Sequence, residues 1–200
     1  SEEFRAVLQH FNPNEPSQLA DFAAALTTST KEELQDILET TRIRPRLEKV
    51  LRLVNKELEV ARSQVAESAH LIDVCVDYVG RDGVADMDEL AGRVATQVPA
   101  PLVLDSTEPA VLQAGLEMIG GRSVLNSANL EDGDEPGSRA DQVFRLARDH
   151  GAAVICLLID EEGQARDVEW KMRVAHRLYY LAVNRYGLEP SDLIFDPLTL

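Results

Sequence analysis

The residues best suited to chemistry are four aspartates and one asparagine, because each follows a short apolar run rich in branched side chains. The runs cover residues 71–76, 102–104, 123–125, 152–159 and 193–195. The polar residues after them are Asp77, Asp105, Asn126, Asp160 and Asp196. One such residue alone would indicate a turn, but five in register favour carboxylates and an amide gathered in one polar pocket.

The elements that must position these groups are parallel strands. The five runs alternate with helix-like segments, which is typical of strands buried on both faces in βα units. We expect strands at 71–76, 102–105, 123–126, 153–159 and 193–196, in sequential order with right-handed helical crossovers. Asp105, Asn126 and Asp196 are then predicted to point into one shared space.

The first third of the chain has a different texture, with helical periodicity and no strand pattern. Helices are predicted at about 4–11, from a Ser17 cap to residue 26, and from a cap at Ser29 or Thr30 to residue 38. Pro45 suits the first turn of a fourth helix that continues to about residue 69. We therefore predict a helical hairpin or small bundle at 1–64, joined by this long helix to a second domain at 65–200.

Composition excludes several classes of protein. The chain has 35 acidic and 20 basic side chains, a formal net charge of −15, which argues against nucleic-acid binding. No apolar run approaches the roughly 18 residues of a membrane span, and the first residues do not read as a secretory signal. Cys75 and Cys156 both lie in apolar runs, which favours buried thiols in a reducing compartment such as the cytoplasm.

Residues 64–200 resemble the pterin-binding domain of cobalamin-dependent methionine synthase. Five segments carry the resemblance in order: HLIDVCVDYVG (70–80), PLVLDSTEP (101–109), SVLNS (123–127), IDEEGQ (159–164) and IFDP (194–197). The resemblance implies a (β/α)8 barrel that holds methyltetrahydrofolate at its carboxyl-end face. There the family presents the N5 methyl group to a cobalamin carried by a separate domain.

The resemblance also implies site residues. It places pterin contacts on Asp105, Asn126 and Asp196, which match strand-end positions of the family. Asp73 and Asp77 belong to the first strand and its loop, where Cys75 replaces an asparagine common in relatives. Asp160 is a further candidate contact, although it could equally cap the helix that follows. Carboxylates and an amide suit the exocyclic amine and ring N–H donors of a reduced pterin.

The sequence also departs from the family pattern. A full barrel has eight strands in about 250 residues, whereas five strands are predicted here. We therefore expect an incomplete barrel without the strand-end asparagine that in the family contacts N5. The cobalamin domain and the zinc and homocysteine domain have no counterpart in the sequence. Pterin binding is expected to be possible, methyl transfer by this chain alone is not, and no catalytic residue is assigned.

Residues 1–62 resemble the helical part of the amino-terminal region of Lon proteases. The resemblance rests on LADFAAAL (19–26), ELQDILE (33–39) and RPRLEKVLRLVNKELEVA (44–61). In that family the segment carries no chemistry, engages substrates and helps to arrange subunits. No Ser-Lys pair or Walker motif is found, so proteolysis is excluded for the residues present. The two resemblances indicate a helix-to-helix fusion, natural or engineered.

Other candidate sites are weak. The acidic segment 131–135 suggests a calcium loop but lacks EF-hand spacing, so a solvated loop is the better interpretation. The four histidines show no zinc-ligand spacing, and no metal site is predicted.

Three interpretations remain open: a folate-binding barrel fragment with a helical extension, a non-catalytic interaction or assembly module, and a chimera without a native function. Five strands leave two exposed sheet edges, and such edges favour pairing with another surface. We expect residues 1–60 to cover the sheet or, preferably, the chain to self-associate through the edges or the long helix.

Overall fold

The computed structural model describes residues 16–25 and 30–199, and the helix predicted at 4–11 lies outside them. The chain divides into two compact units, residues 1–63 and 64–200. Within the described residues, no helix combines the length and apolar character needed to cross a membrane.

The first unit is built from helices. They are α1 (Pro16–Ala25), α2 (Lys31–Glu39) and α3 (Ile43–Ala66), the last of which continues three residues past the boundary. Thr30 caps α2, since its hydroxyl accepts from the Glu33 N–H at 3.2 Å and the Glu33 carboxylate accepts from the Thr30 N–H at 3.0 Å. The buried core of this unit consists of Ala20, Ala24, Ile37 and Val50, with Leu34, Leu47 and Leu53 packed against it.

The second unit alternates strands with helices. Its elements are β1 (Ile72–Cys75), α4 (Gly83–Gln97), β2 (Leu102–Asp105), α5 (Pro109–Met118), β3 (Val124–Ala128), α6 (Arg139–His150), β4 (Ala153–Leu157), β5 (Ile159–Asp160), β6 (Gly163–Gln164), α7 (Val168–Tyr180) and β7 (Leu193–Asp196). A π-helical turn (Leu181–Arg185) and a 3-10 turn (Pro190–Asp192) lead from α7 into β7.

Five strands form one sheet in the order β1-β2-β3-β4-β7, and all four neighbouring pairs are parallel. The α/β fold class and the five parallel strands in sequential order are therefore confirmed. Several strand ends differ from the expectation by one or two residues: β1 covers 72–75 rather than 71–76, β3 covers 124–128 rather than 123–126, and the strand expected at 153–159 ends at Leu157. Ile159–Asp160 instead pairs antiparallel with Gly163–Gln164, and the tight turn between them uses Gly163 at φ +112°.

The two faces of the sheet are packed differently. Leu104 of β2 faces helix α5, and a Cβ built on Gly115 of that helix would lie 2.8 Å from its Cδ1 atom. Side chains alternate along a strand, so Val103 faces the opposite side, where it clusters with Val124 and Ala153. Asp105 is two residues beyond Val103 and projects from this second face. The fold thus places the strand-end residue Asp105 on the face of the sheet opposite to α5.

Candidate functional site

A cavity of about 590 Å³ lies at the carboxyl ends of the central strands. Ten of the eleven lining residues carry polar side chains, and the lining comes from β2, β3, β4, β7, the loops after β2 and β3, and the first residue of α6. The lining residues are Asp105, Ser106, Thr107, Asn126, Ser127, Asn129, Glu131, Asp132, Arg139, Leu157 and Asp196. Volume and lining fit a small polar ligand better than an apolar one.

Strand register explains why three of the predicted site residues meet here. Asp105 on β2 is aligned with Asn126 on β3, so their side chains lie next to each other on one face. Asp196 is aligned with Leu157 across the β4–β7 pair, at the other side of the same cavity. The structure therefore brings Asp105, Asn126 and Asp196 to one space, as the apolar runs before them predicted.

Asp77 stands beside the cavity without lining it. Its carboxylate accepts hydrogen bonds from the Ser106 hydroxyl at 2.6 Å, the Thr107 N–H at 2.7 Å and the Thr107 hydroxyl at 2.9 Å. These bonds tie the residues after β1 to those after β2. Asp77 therefore holds Ser106 and Thr107, two residues that line the cavity, in position.

Asp160 is not brought to the cavity. The residue is 6% exposed, and its carboxylate accepts from the Trp170 indole N–H at 2.8 Å and the Glu162 N–H at 3.0 Å. Neither does it cap the following helix, because Asp167 does so by accepting from the Trp170 N–H at 2.8 Å. Because Asp160 belongs to the β5–β6 hairpin, it lies away from the cavity, and its carboxylate binds Trp170 in the first turn of α7.

Arg139 is a site residue that the sequence analysis did not identify. Its Nε donates to the Ser127 carbonyl at 2.8 Å, its Nη2 donates to the Ser106 carbonyl at 2.7 Å, and its Nη1 donates to the Thr107 carbonyl. Among the cavity-lining residues that the structure describes, it is the one cation. The available signal was its place as the first basic residue after the acidic segment 131–135.

The acidic segment contributes to the cavity through Glu131 and Asp132. The Asp132 carboxylate accepts from the Arg139 N–H at 3.0 Å and thereby fixes the loop against the start of α6. Over residues 16–25 and 30–199, no group of three or more His, Cys, Asp or Glu side chains is arranged to hold a metal ion. The Asp132 carboxylate thus serves to hydrogen-bond the backbone at the start of α6.

The site carries more negative than positive charge, and its pKa values reflect that. Burial raises the pKa of Asp105, the Asp73 and Asp77 carboxylates raise it further, and only Arg139 opposes them. Burial likewise raises the pKa of Asp73. Burial would also raise the pKa of Asp77, but hydrogen bonds from Ser106 and Thr107 outweigh it and lower that pKa.

Comparison with known proteins places this chain in a family. Residues 48–200 match the family model described as pterin binding enzyme. The chain belongs to the pterin-binding enzyme family. This pterin-binding family member is 54% identical over 144 residues to methionine synthase of Mycobacterium tuberculosis and 55% identical over 144 residues to that of Mycobacterium leprae. The match covers 72% of this chain and 12% of the length of each relative.

A solved structure supports the fold of this pterin-binding unit. Yersinia pestis DHPS with a pterine-sulfa conjugate superposes with a TM-score of 0.51 at 18% identity, covering 72% of this chain and 54% of that one. Residues 2–56 separately match the substrate-binding domain of ATP-dependent protease La (LON). Both resemblances noted in the sequence are therefore confirmed.

Proposed function

We propose that residues 64–200 bind a reduced pterin, methyltetrahydrofolate, in the cavity at the strand ends. The observation that carries this proposal is the meeting of Asp105, Asn126 and Asp196 around one space of about 590 Å³. Membership of the pterin-binding family and 54% identity to a methionine synthase support the choice of ligand.

The chemistry of the three side chains suits the ligand. The pyrimidine edge of a reduced pterin offers an exocyclic amine and ring N–H groups, and carboxylate oxygens accept from such donors. Asp105 and Asp196 would accept these hydrogen bonds, while the Asn126 amide can both accept and donate. Since hydrogen bonds to charged acceptors contribute about 1.5–3 kcal/mol each, the two carboxylates would favour a ligand that presents such donors over one that lacks them.

Calorimetric titration with methyltetrahydrofolate tests the proposal. We expect the wild-type chain to bind, and Asp105→Asn or Asp196→Asn to weaken binding at least about tenfold, because each replaces a charged acceptor. Asp149→Asn is the matched control, since Asp149 is an exposed residue of α6 that does not line the cavity. Absence of heat for the wild-type chain, or equal affinity in all four proteins, would contradict the proposal.

Binding should also depend on pH in a defined direction. Because burial and neighbouring carboxylates raise the pKa of Asp105, this acceptor becomes protonated at a higher pH than an ordinary aspartate. Affinity should therefore be full at neutral pH and fall as the pH is lowered through that raised pKa. We call this fall of affinity at low pH the acid limb of binding. In Asp105→Asn the affinity should change less with pH over the same range.

For the wider role, we infer that the chain supplies the pterin site of a cobalamin-dependent methionine synthase activity in a reducing compartment such as the cytoplasm. In such a reaction the N5 methyl group passes to cobalamin held by a separate domain and then to homocysteine. The 200-residue chain alone is expected to bind the pterin without transferring the methyl group. Incubation with methyltetrahydrofolate and reduced cobalamin should then leave the cobalamin absorption spectrum unchanged.

A second candidate function concerns the first unit, and the match of residues 2–56 to a LON substrate-binding domain favours it. We propose a non-catalytic module that engages unfolded chains or assists assembly. Leu38 and Leu51 are each 60% exposed and offer apolar contact. Fluorescence anisotropy with a labelled unfolded polypeptide should show binding that Leu51→Gln weakens and the neighbouring Arg52→Gln does not. Failure of both binding tests would favour a chimera without a native function.

A further inference from the structure

Arg139 joins the ends of two strands through backbone carbonyls. Ser106 and Thr107 directly follow β2, and Ser127 directly follows Asn126 in β3; the Arg139 guanidinium donates to all three carbonyls. These are the residues next to Asp105 and Asn126, which line the same cavity. A planar guanidinium with several fixed donors can make this set of contacts at once, whereas an ammonium group cannot.

The arginine is itself held in place at the start of its helix. Its backbone N–H donates to both oxygens of the Asp132 carboxylate, at 3.1 and 3.0 Å. The preceding Ser138 caps α6 by accepting from the Asp141 N–H at 3.3 Å. Because the first residue of α6 is fixed in this way, its side chain reaches the strand ends from a rigid base.

A second support meets the first at Ser106 and Thr107. The Asp77 carboxylate accepts from both side-chain hydroxyls and from the Thr107 N–H, while Arg139 binds both carbonyls. The hydroxyl and N–H donors of these two residues are thus bound by Asp77, just after β1. Their carbonyl acceptors are bound by Arg139, at the start of α6. Little freedom remains for the strand end that carries Asp105.

We propose that Arg139 is the positioning residue of the pterin site: it fixes the two strand ends that carry Asp105 and Asn126 and supplies the positive charge that balances the carboxylates beside them. This inference rests on the proposed function for its ligand. It assigns Arg139 no contact with the pterin, because three of its five N–H groups are already used on backbone carbonyls.

The charged groups around Asp105 show what the positive charge of Arg139 does. Strand β1 contributes the carboxylate of Asp73 and the thiol of Cys75, which is aligned with Asp105 in the sheet, and the carboxylate of Asp77 comes from the second residue after β1. From α6 comes Arg139. The remaining charged groups that line the cavity are Glu131, Asp132 and Asp196. Arg139 is therefore the positive charge that helps Asp105 to remain ionised, and removal of that charge should favour protonation.

Two substitutions separate position from charge. Arg139→Gln removes the charge and most of the hydrogen bonds, so methyltetrahydrofolate affinity at neutral pH should fall at least about tenfold and the acid limb of binding should move to higher pH. Arg139→Lys keeps the positive charge but loses the planar guanidinium that donates to three carbonyls. Affinity should therefore fall, while the acid limb should stay at the same pH as in the wild type. Arg148→Gln, an exposed arginine on the same helix, is the matched control and should change neither quantity.

A second readout needs no ligand. The carboxyl carbon of Asp105, assigned by its loss in Asp105→Asn, can be titrated by NMR in carbon-13-labelled protein. Its midpoint should rise in Arg139→Gln relative to the wild type and remain unchanged in Arg139→Lys. Equal midpoints in all three proteins, or an equal affinity loss in both variants with no movement of the acid limb, would overturn the inference. A wild-type chain that binds no pterin yet shows the expected NMR midpoints would refute the proposed function alone.

Discussion

The carboxylate of Asp141 should stabilise the second unit, and the effect can be worked out from its contacts. The side chain is 6% exposed, and its oxygens accept from the Tyr186 hydroxyl at 2.6 Å, the Gly137 N–H at 2.8 Å and the Arg145 Nε at 2.8 Å. Burial would raise its pKa, but these three donors outweigh burial and lower the pKa from 3.8 to about 2. Asp141 lies two residues after Arg139, so its anchoring also holds the start of α6.

The magnitude follows from linkage. A decrease of about 1.8 pKa units corresponds to about 2.4 kcal/mol of stability at neutral pH. Because Arg145 is half exposed and solvent screens its charge, we reduce this to about 1–2 kcal/mol for Asp141→Asn. The folded-state pKa is the lower one, so the contribution is complete above about pH 5 and is lost as the pH falls towards 2. By pH 3 about half of it should be gone.

Urea unfolding followed by Trp170 fluorescence measures this effect, since Trp170 is the single tryptophan of the chain and lies in the second unit. Asp141→Asn should be less stable than the wild type by about 1–2 kcal/mol at pH 7, and the difference should shrink at pH 3. Asp149→Asn, the same change at an exposed site on α6, should stay within about 0.5 kcal/mol of the wild type. A loss that is equal at both pH values, or no loss at pH 7, would refute the reasoning.

Three further outcomes are expected. Asp160→Asn should lower the free energy of unfolding by about 1–3 kcal/mol, because it weakens the hydrogen bond from Trp170, and should leave pterin affinity unchanged. Weaker pterin binding by this variant would indicate that Asp160 contacts the ligand. A thiol reagent should titrate only Cys75 in the native chain and both cysteines in urea, because burial raises the pKa of Cys156 to about 12; rapid reaction of two thiols would contradict this. Sedimentation at micromolar concentration should show self-association, since β1 and β7 are the outermost strands of the sheet; a monomer at every concentration would count against pairing of these edges.

The strands were predictable because burial on both faces leaves a continuous apolar run that reads directly from the sequence. Asp105, Asn126 and Asp196 were predictable for the same reason, since each ends such a run and parallel strands end on one side of a sheet. Asp160 also follows an apolar run, but the last residue of that run, Ile159, belongs together with Asp160 to a different pair of strands. Apolar patterning does not distinguish a long strand from a strand followed by a tight turn.

The role of Arg139 was hidden for a different physical reason. Its partners are backbone carbonyls 12 to 33 positions earlier in the chain, and carbonyls are present at every residue. No choice of side chain at residues 106, 107 and 127 marks them as acceptors for a distant arginine. Such a contact appears only once the loops after two strands and the start of a later helix are placed together.

The narrow gap between α5 and β2 has a consequence for how this site would be mapped by mutation. A side chain at Gly115 would press on both Cδ atoms of Leu104, at 2.8 and 2.9 Å, and Leu104 immediately precedes Asp105. A selection for pterin binding would therefore reject substitutions at Gly115, although the residue lies behind the sheet and touches no ligand. A map of intolerant positions drawn without the structure would count Gly115 among the contacts of the cavity, although its effect arrives through Leu104 and through Met87, whose Cγ atom would lie 3.0 Å from the added Cβ.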